Sequence, residues 1–150
     1  MRDDLASLAE DVRELERGGL PPEAAGAFAR ALGCYERAEL AYDRARSPEA
    51  LEPATAVIAE GRYELARARA ALEGRDAPER RPPCFFDPRH GPAEREVEWA
   101  SRVVAACNRD AVRIERGTEP ETRHLFIDGR PVPYWSAPPA FDAWRRGYYG

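Results

Sequence analysis

The sequence predicts an α+β protein: an antiparallel α-helical hairpin with an extra N-terminal helix, then a small module of short hairpins and one helix. Three observations lead there. Apolar residues recur every three or four positions through the first half. Short β-prone runs separated by turn residues fill the second half. Ten of the 14 Phe, Trp and Tyr residues lie beyond position 75, enough to supply a second core. The expected division is 1–74 for the helical segment, 75–83 for a linker and 84–150 for the aromatic-rich module.

The elements follow in order. Leu5, Leu8, Val12 and Leu15 mark one face of a first helix, which the glycines and prolines of "GGLPP" at 18–22 break. A second helix runs from about Pro22 to Ala45, with Phe28, Ala31, Tyr35, Ala38, Tyr42 and Ala45 on one face. Ser47-Pro48-Glu49 is a good helix start, with a capping hydroxyl, a proline and an acid in order. Pro53 requires a third helix to kink there or to begin properly at Glu52. Beyond it Leu51, Ala54, Ile58, Gly61, Leu65, Ala68 and Leu72 form a heptad seam complementary to the second helix. A short connection makes the two helices antiparallel. Gly61 costs up to about 1 kcal/mol in a helix interior, and the expected return is close approach of a facing tyrosine.

"EGRDAPERRPP" at 73–83 reads as a linker or a stiff crossing strand. "REVEWA" and "SRVVAA" form an antiparallel pair, "CNRDAVRIERG" a short helix closed by Gly117, and "RHLFIDGRPVPYW" a hairpin about Asp128-Gly129, a pair favoured in two-residue turns.

Composition narrows the function classes. All 23 basic residues are arginine and the net charge is −4. With abundant Ala, Pro and Gly, this skew reflects a GC-rich genome and not a nucleic-acid surface, which an acidic chain would repel on average. No apolar run reaches the roughly 20 residues of a membrane span, and the amphipathic N-terminus lacks the order of a signal peptide. A cytoplasmic protein without direct membrane insertion is expected. Three cysteines, an odd number, argue against a disulfide framework. Lysine's absence excludes a phosphate loop of the GxxxxGK type, and no nucleophile-elbow sequence is present.

One stretch carries candidate chemistry. "CFFDPRHG" holds Cys84 and His90, a β pair follows, and Cys107 and Asp110 stand on the first turn of the next helix. A knuckle, a hairpin and a helix N-terminus, in that order, are the plan of a treble-clef zinc module. Residues i and i+3 share a helix face, and a helix N-terminus favours thiolate. Cys84, His90, Cys107 and Asp110 are therefore candidate ligands for a structural zinc ion, although aspartate is a harder donor than such sites ordinarily use. Two other readings stand beside it. Cys84 and Cys107 pack as core residues around an Asp87-Pro88 turn, or the two pair as a disulfide.

The segments "RRPPCFFDPRHGPAEREVEW", "CNRDAVRIERGTEP", "GRPVPYW" and "GYYG" resemble an uncharacterised actinobacterial protein family. Its pattern is Pro-Cys-Phe-Phe-Asp-Pro-x-His-Gly, a downstream Cys-x2-Cys, Pro-Tyr-Trp and a terminal aromatic pair. The resemblance covers about 80–150. It implies descent from a zinc knuckle and company with membrane-anchored proteins, but no activity. Asp110 stands where the family pattern has its last cysteine, which puts one thiolate of the site in doubt.

The expected function is a non-catalytic protein-interaction module, with partners docking on the outer face of the helical hairpin or on the aromatic tail, Tyr134, Trp135, Trp144, Tyr148 and Tyr149, the residue types of interface hot spots. The same aromatics equally suit a tail wrapped over its own core, and the exposure of Trp135 and Trp144 separates the two. Two further readings are an accessory domain of a membrane-associated complex and a metal-dependent His-Asn-His nuclease using His90, Asn108 and His124. For the nuclease the intervals are long, and His124 falls after the helix.

Overall fold

The heptad seams of the first half meet each other directly. In a computed structural model covering residues 1–150, helices α1 (Arg2–Arg17), α2 (Pro22–Arg44) and α3 (Glu52–Leu72) bury one stripe each. Leu5, Leu8, Val12 and Leu15 of α1 join Phe28, Ala31 and Ala38 of α2 and Ile58, Leu65 and Ala68 of α3 in a single core. Pro48–Leu51 forms one 3-10 turn before α3 starts at Glu52. Pro53 therefore sits in the first turn, where its missing N–H forfeits no helical bond.

Gly61 is a point of close approach, but to different neighbours than expected. A methyl group there would lie 3.0 Å from Cys34 Cβ and 3.3 Å from Leu8 Cδ2. The glycine lets α1 and α2 both close on α3 and accommodates no tyrosine. Tyr35 and Tyr42 remain half-buried at the edge of the seam.

The crossing segment after α3 is docked and not free. Arg80 makes a bidentate ion pair with Glu60 of α3 at 2.6 and 2.7 Å, and its guanidinium stacks 4.3 Å over Tyr63. Beyond it come strands β1 (Arg95–Trp99) and β2 (Arg102–Ala106), helix α4 (Asn108–Glu115), strands β3 (His124–Ile127) and β4 (Arg130–Pro133), and helix α5 (Asp142–Tyr149). Each strand pair is a separate antiparallel hairpin. Asp128 and Gly129 turn the second with φ of 50° and 76°. Ala100 and Ser101 turn the first with φ of 49° and 62°, so that hairpin adopts the left-handed turn without a glycine.

The hydrophobic core does not divide at residues 75–83. Tyr134, Trp144 and Tyr148 pack with the three long helices, while Cys84, Phe86, Val104, Ala106, Cys107 and Ala111 form a second, smaller cluster. The aromatic tail thus closes over the molecule's own interior. Tyr134, Trp144 and Tyr148 are buried and Trp135 and Tyr149 half-buried, which favours a tail wrapped over its own core over a docking surface there. Trp135 stacks 5.0 Å from Phe85, and Tyr149 stacks 5.6 Å from Tyr134.

Helix α5 reaches the start of α3 through Gly147. A methyl at this position would stand 2.8 Å from Thr55 Cβ and closer still to Thr55 Oγ1 and the Glu52 carbonyl. A backbone carbonyl in a helix cannot step aside as a side chain can. Gly147→Ala is therefore expected to cost about 3 kcal/mol, the upper part of the range for overpacking, against a helix-propensity gain of about 1 kcal/mol. A urea titration followed by circular dichroism measures this; an unchanged midpoint would show that α5 does not dock as described.

Candidate metal centre

The knuckle is built by short local bonds. Asp87 accepts hydrogen bonds from the Arg89 N–H at 2.8 Å and from its guanidinium at 2.6 Å, capping the single 3-10 turn Pro88–His90. Gly91, at φ 85°, then reverses the chain. The Cys84 N–H donates to the Gly91 carbonyl at 2.9 Å, and Pro83 bridges Pro92. This fold-back brings Cys84 and His90 to one point. The β1–β2 hairpin returns the chain to the same place, where Cys107 caps α4 and its sulfur faces the Asp110 N–H at 3.5 Å.

One donor atom from each of Cys84, His90, Cys107 and Asp110 lies within 4.8 Å of every other. Both sulfurs stand 3.4 Å from Asp110 Oδ2, and Cys107 Sγ stands 3.7 Å from His90 Nδ1. With metal–sulfur bonds of about 2.3 Å and metal–nitrogen or –oxygen bonds of about 2.0–2.2 Å, the edges of a tetrahedron are about 3.3–3.8 Å long. Those three distances fit. The His90 Nδ1–Asp110 Oδ2 separation, 2.9 Å, is that of a hydrogen bond, so these two donors part by about 0.4 Å to admit an ion. The four candidate ligands read from the sequence are thus brought together, and the cluster can hold a metal ion.

Its electrostatics call for a cation. The neighbouring Cys107 sulfur pulls Cys84 below the ordinary thiol range, with His90 adding to the effect against burial. The same contact, together with burial, pushes Cys107 up. Burial alone would lower His90, but the Cys84 sulfur and the charges of Asp87 and Asp110 hold it above its usual value. Burial likewise opposes ionisation of Asp110, yet the Glu121 N–H, the His90 charge and the thiols keep its carboxyl low. A divalent ion held there would supply the charge that favours both sulfurs as thiolates.

Residues outside the four ligands orient them. The Glu121 N–H donates to Asp110 Oδ1 at 2.8 Å, turning Oδ2 toward the sulfurs. The Glu121 carboxylate faces His90 Nε2 at 3.8 Å and is held by Arg109 at 2.8 Å. The Tyr149 hydroxyl donates to the Cys84 carbonyl at 2.8 Å, and that of Tyr134 to the Phe85 carbonyl at 2.6 Å. Nothing local in "GTEPET" marks Glu121, and the tyrosines act from 49 and 65 residues away.

Two positions considered beside the cluster lie outside it. His124 is exposed on β3, its Nδ1 bonded to the Thr122 carbonyl at 2.9 Å. Asn108 is exposed, its N–H taken by Glu94 at 2.9 Å. All three cysteines are free thiols, Cys34 beneath Arg37 in the helical core. An open cleft of about 460 Å³, lined in part by Arg69, Arg89 and Arg109, reaches the outer edges of His90 and Cys107. Cys84 and Asp110, by contrast, have no exposure at all. No helix is long and apolar enough to cross a membrane. A scan against protein-family models and searches of curated proteins and of solved structures give no match to this chain.

Proposed function

We propose that this chain is a non-catalytic protein-interaction module whose knuckle is held by one structural zinc ion bound to Cys84, His90, Cys107 and Asp110. The observation that carries the reading is the convergence of four buried or nearly buried donors within 4.8 Å of one another, three of their separations matching the edges of a tetrahedron. Two thiolates and an imidazole favour zinc over calcium or magnesium, which take oxygen donors. The order of parts, knuckle, β1–β2 hairpin and then ligands on the first turn of α4, supports descent from a treble clef.

A structural role agrees with a shell of four protein ligands, because a catalytic zinc keeps a position for water or substrate. The nuclease reading has less support, since His124 is bonded away from the cluster and Asn108 points to solvent. For partners, the exposed Leu32 and Leu40 on α2, Leu72 on α3, Val103 on β2 and Phe126 on β3 are large apolar side chains free to meet another protein. A protein partner is proposed on that ground, with no nucleic acid.

Metal content per chain by mass spectrometry, on protein purified without chelator, tests the reading. One zinc per chain is expected, with Cys84→Ser and Cys107→Ser each losing it. A cooperatively folded protein free of metal, whose melting temperature is unmoved by added zinc, sinks the proposal.

A further inference from the structure

The β3–β4 hairpin carries the most exposed large apolar side chain of the molecule, Phe126 at 77%, and beside it a strand edge with no partner. In the ladder His124 faces Pro133 and Phe126 faces Pro131. Proline has no N–H to donate, so both are non-hydrogen-bonded pairs. The Tyr134 N–H donating to the Arg123 carbonyl at 3.0 Å sets the same alternation. The N–H and C=O groups of His124 and Phe126 therefore point away from β4, and no other backbone group takes them up. The outer edge of β4 differs, because Pro131 and Pro133 occupy its outward-facing nitrogens. The hairpin has one edge able to pair and one edge blocked.

We propose that a second copy of the chain pairs on this edge, β3 against β3, antiparallel about a two-fold axis at Leu125. This register sets His124 opposite the second copy's Phe126 and the reverse, and it satisfies all four outward groups on each strand. The product is a four-stranded sheet in the order β4–β3–β3–β4, closed at both ends by proline, so assembly stops at two copies. On the exposed face each row reads Pro133, His124, Phe126, Pro131, the last two from the second copy. Each Phe126 ring is thereby covered by imidazole on one side and its own proline on the other. No like charges meet across the axis, since Asp128 stands opposite Thr122. The identical strand supplies both the hydrogen-bond frame and the cover for the ring, which selects a second copy over an unrelated extended peptide. So short an edge gives a reversible dimer, not a permanent one.

The proposal deepens the interaction-module reading and is independent of the metal. Sedimentation velocity from micromolar to millimolar protein, with amide hydrogen exchange of His124 and Phe126, tests it. The expected result is a monomer–dimer equilibrium in which these two amides slow as the dimer forms. Phe126→Pro removes an N–H that β4 does not use and is expected to remain monomeric throughout with unchanged metal content. Phe126→Ser keeps the N–H and loses the ring, so it is expected to dimerise more weakly, and it guards against a folding defect in the proline variant. A monomer at every concentration overturns the proposal, as does a dimer that neither substitution weakens. Metal content is read on the same samples, so failure of the zinc reading and failure of the dimer are separately visible.

Discussion

Stripping the zinc proposed for the knuckle with a strong chelator is expected to unfold it and to lower the melting temperature more than any single core truncation. The second cluster contains only six buried residues, of which Cys84 and Cys107 are themselves candidate ligands. Without the ion its centre is a set of buried polar groups competing for protons. Structural zinc contributes about 10–16 kcal/mol of apparent binding energy in small domains, comparable to the whole stability of a typical protein, about 5–15 kcal/mol. The response should be regional. Near-ultraviolet dichroism from Phe85, Trp99 and Trp135, which stack on the knuckle, is expected to collapse, while most of the helical far-ultraviolet signal persists. The pH dependence has a definite sign. Binding displaces the proton that Cys107 otherwise holds tightly, so affinity falls as pH falls, and acid releases the ion. Loss of metal with both spectra intact would remove its structural role.

Asp4→Ala is expected to cost about 3–5 kcal/mol, the range for breaking a buried ion pair from one side. Asp4 has no solvent exposure. Its Oδ2 accepts from the Trp144 indole N–H at 2.8 Å, and its Oδ1 lies 3.2 Å from the Arg123 guanidinium. Arg123 is itself 5% exposed, so removing the carboxylate strands a charge in the interior. Asp4→Asn retains an acceptor for Trp144 and should cost less. The double variant Asp4→Ala with Arg123→Met should recover part of the loss, because the buried guanidinium no longer stands without its carboxylate. Urea midpoints of the wild type, Asp4→Ala, Arg123→Met and the double variant measure the coupling, and strictly additive effects would show that the pair does not act as a unit.

These two predictions differ in how far the sequence announces them. The candidate metal ligands occupy turns and a helix start, positions that leave local marks: Asp87-Pro88, Gly91 and the break at Cys107. The helical seams are legible for the same reason, since periodicity is a local property. The Asp4–Arg123 pair leaves no such mark, because one acid among 27 and one arginine among 23 look alike until the fold buries them. The return of α5 was equally hidden. Its aromatics suit an interface or an interior, and only Gly147 against Thr55 decides between them. Gly61 was legible as a close approach but not in its neighbours, since Cys34 and Leu8 arrive from two different helices. A split into two modules follows from composition, whereas shared burial crosses it.

The hydrogen bond between Asp4 and Trp144 joins residues 140 positions apart, and this bears on how the chain is made. Helices α1 to α3 can pair as soon as they leave the ribosome, but the indole that completes their core is synthesised some 70 residues after Leu72. At about 5–20 residues per second, the apolar stripe beneath α5 waits on the order of 10 s for its cover. The nascent chain is at its most aggregation-prone during that interval, and a holdase that binds in it would act on the helices long before any partner meets the finished protein.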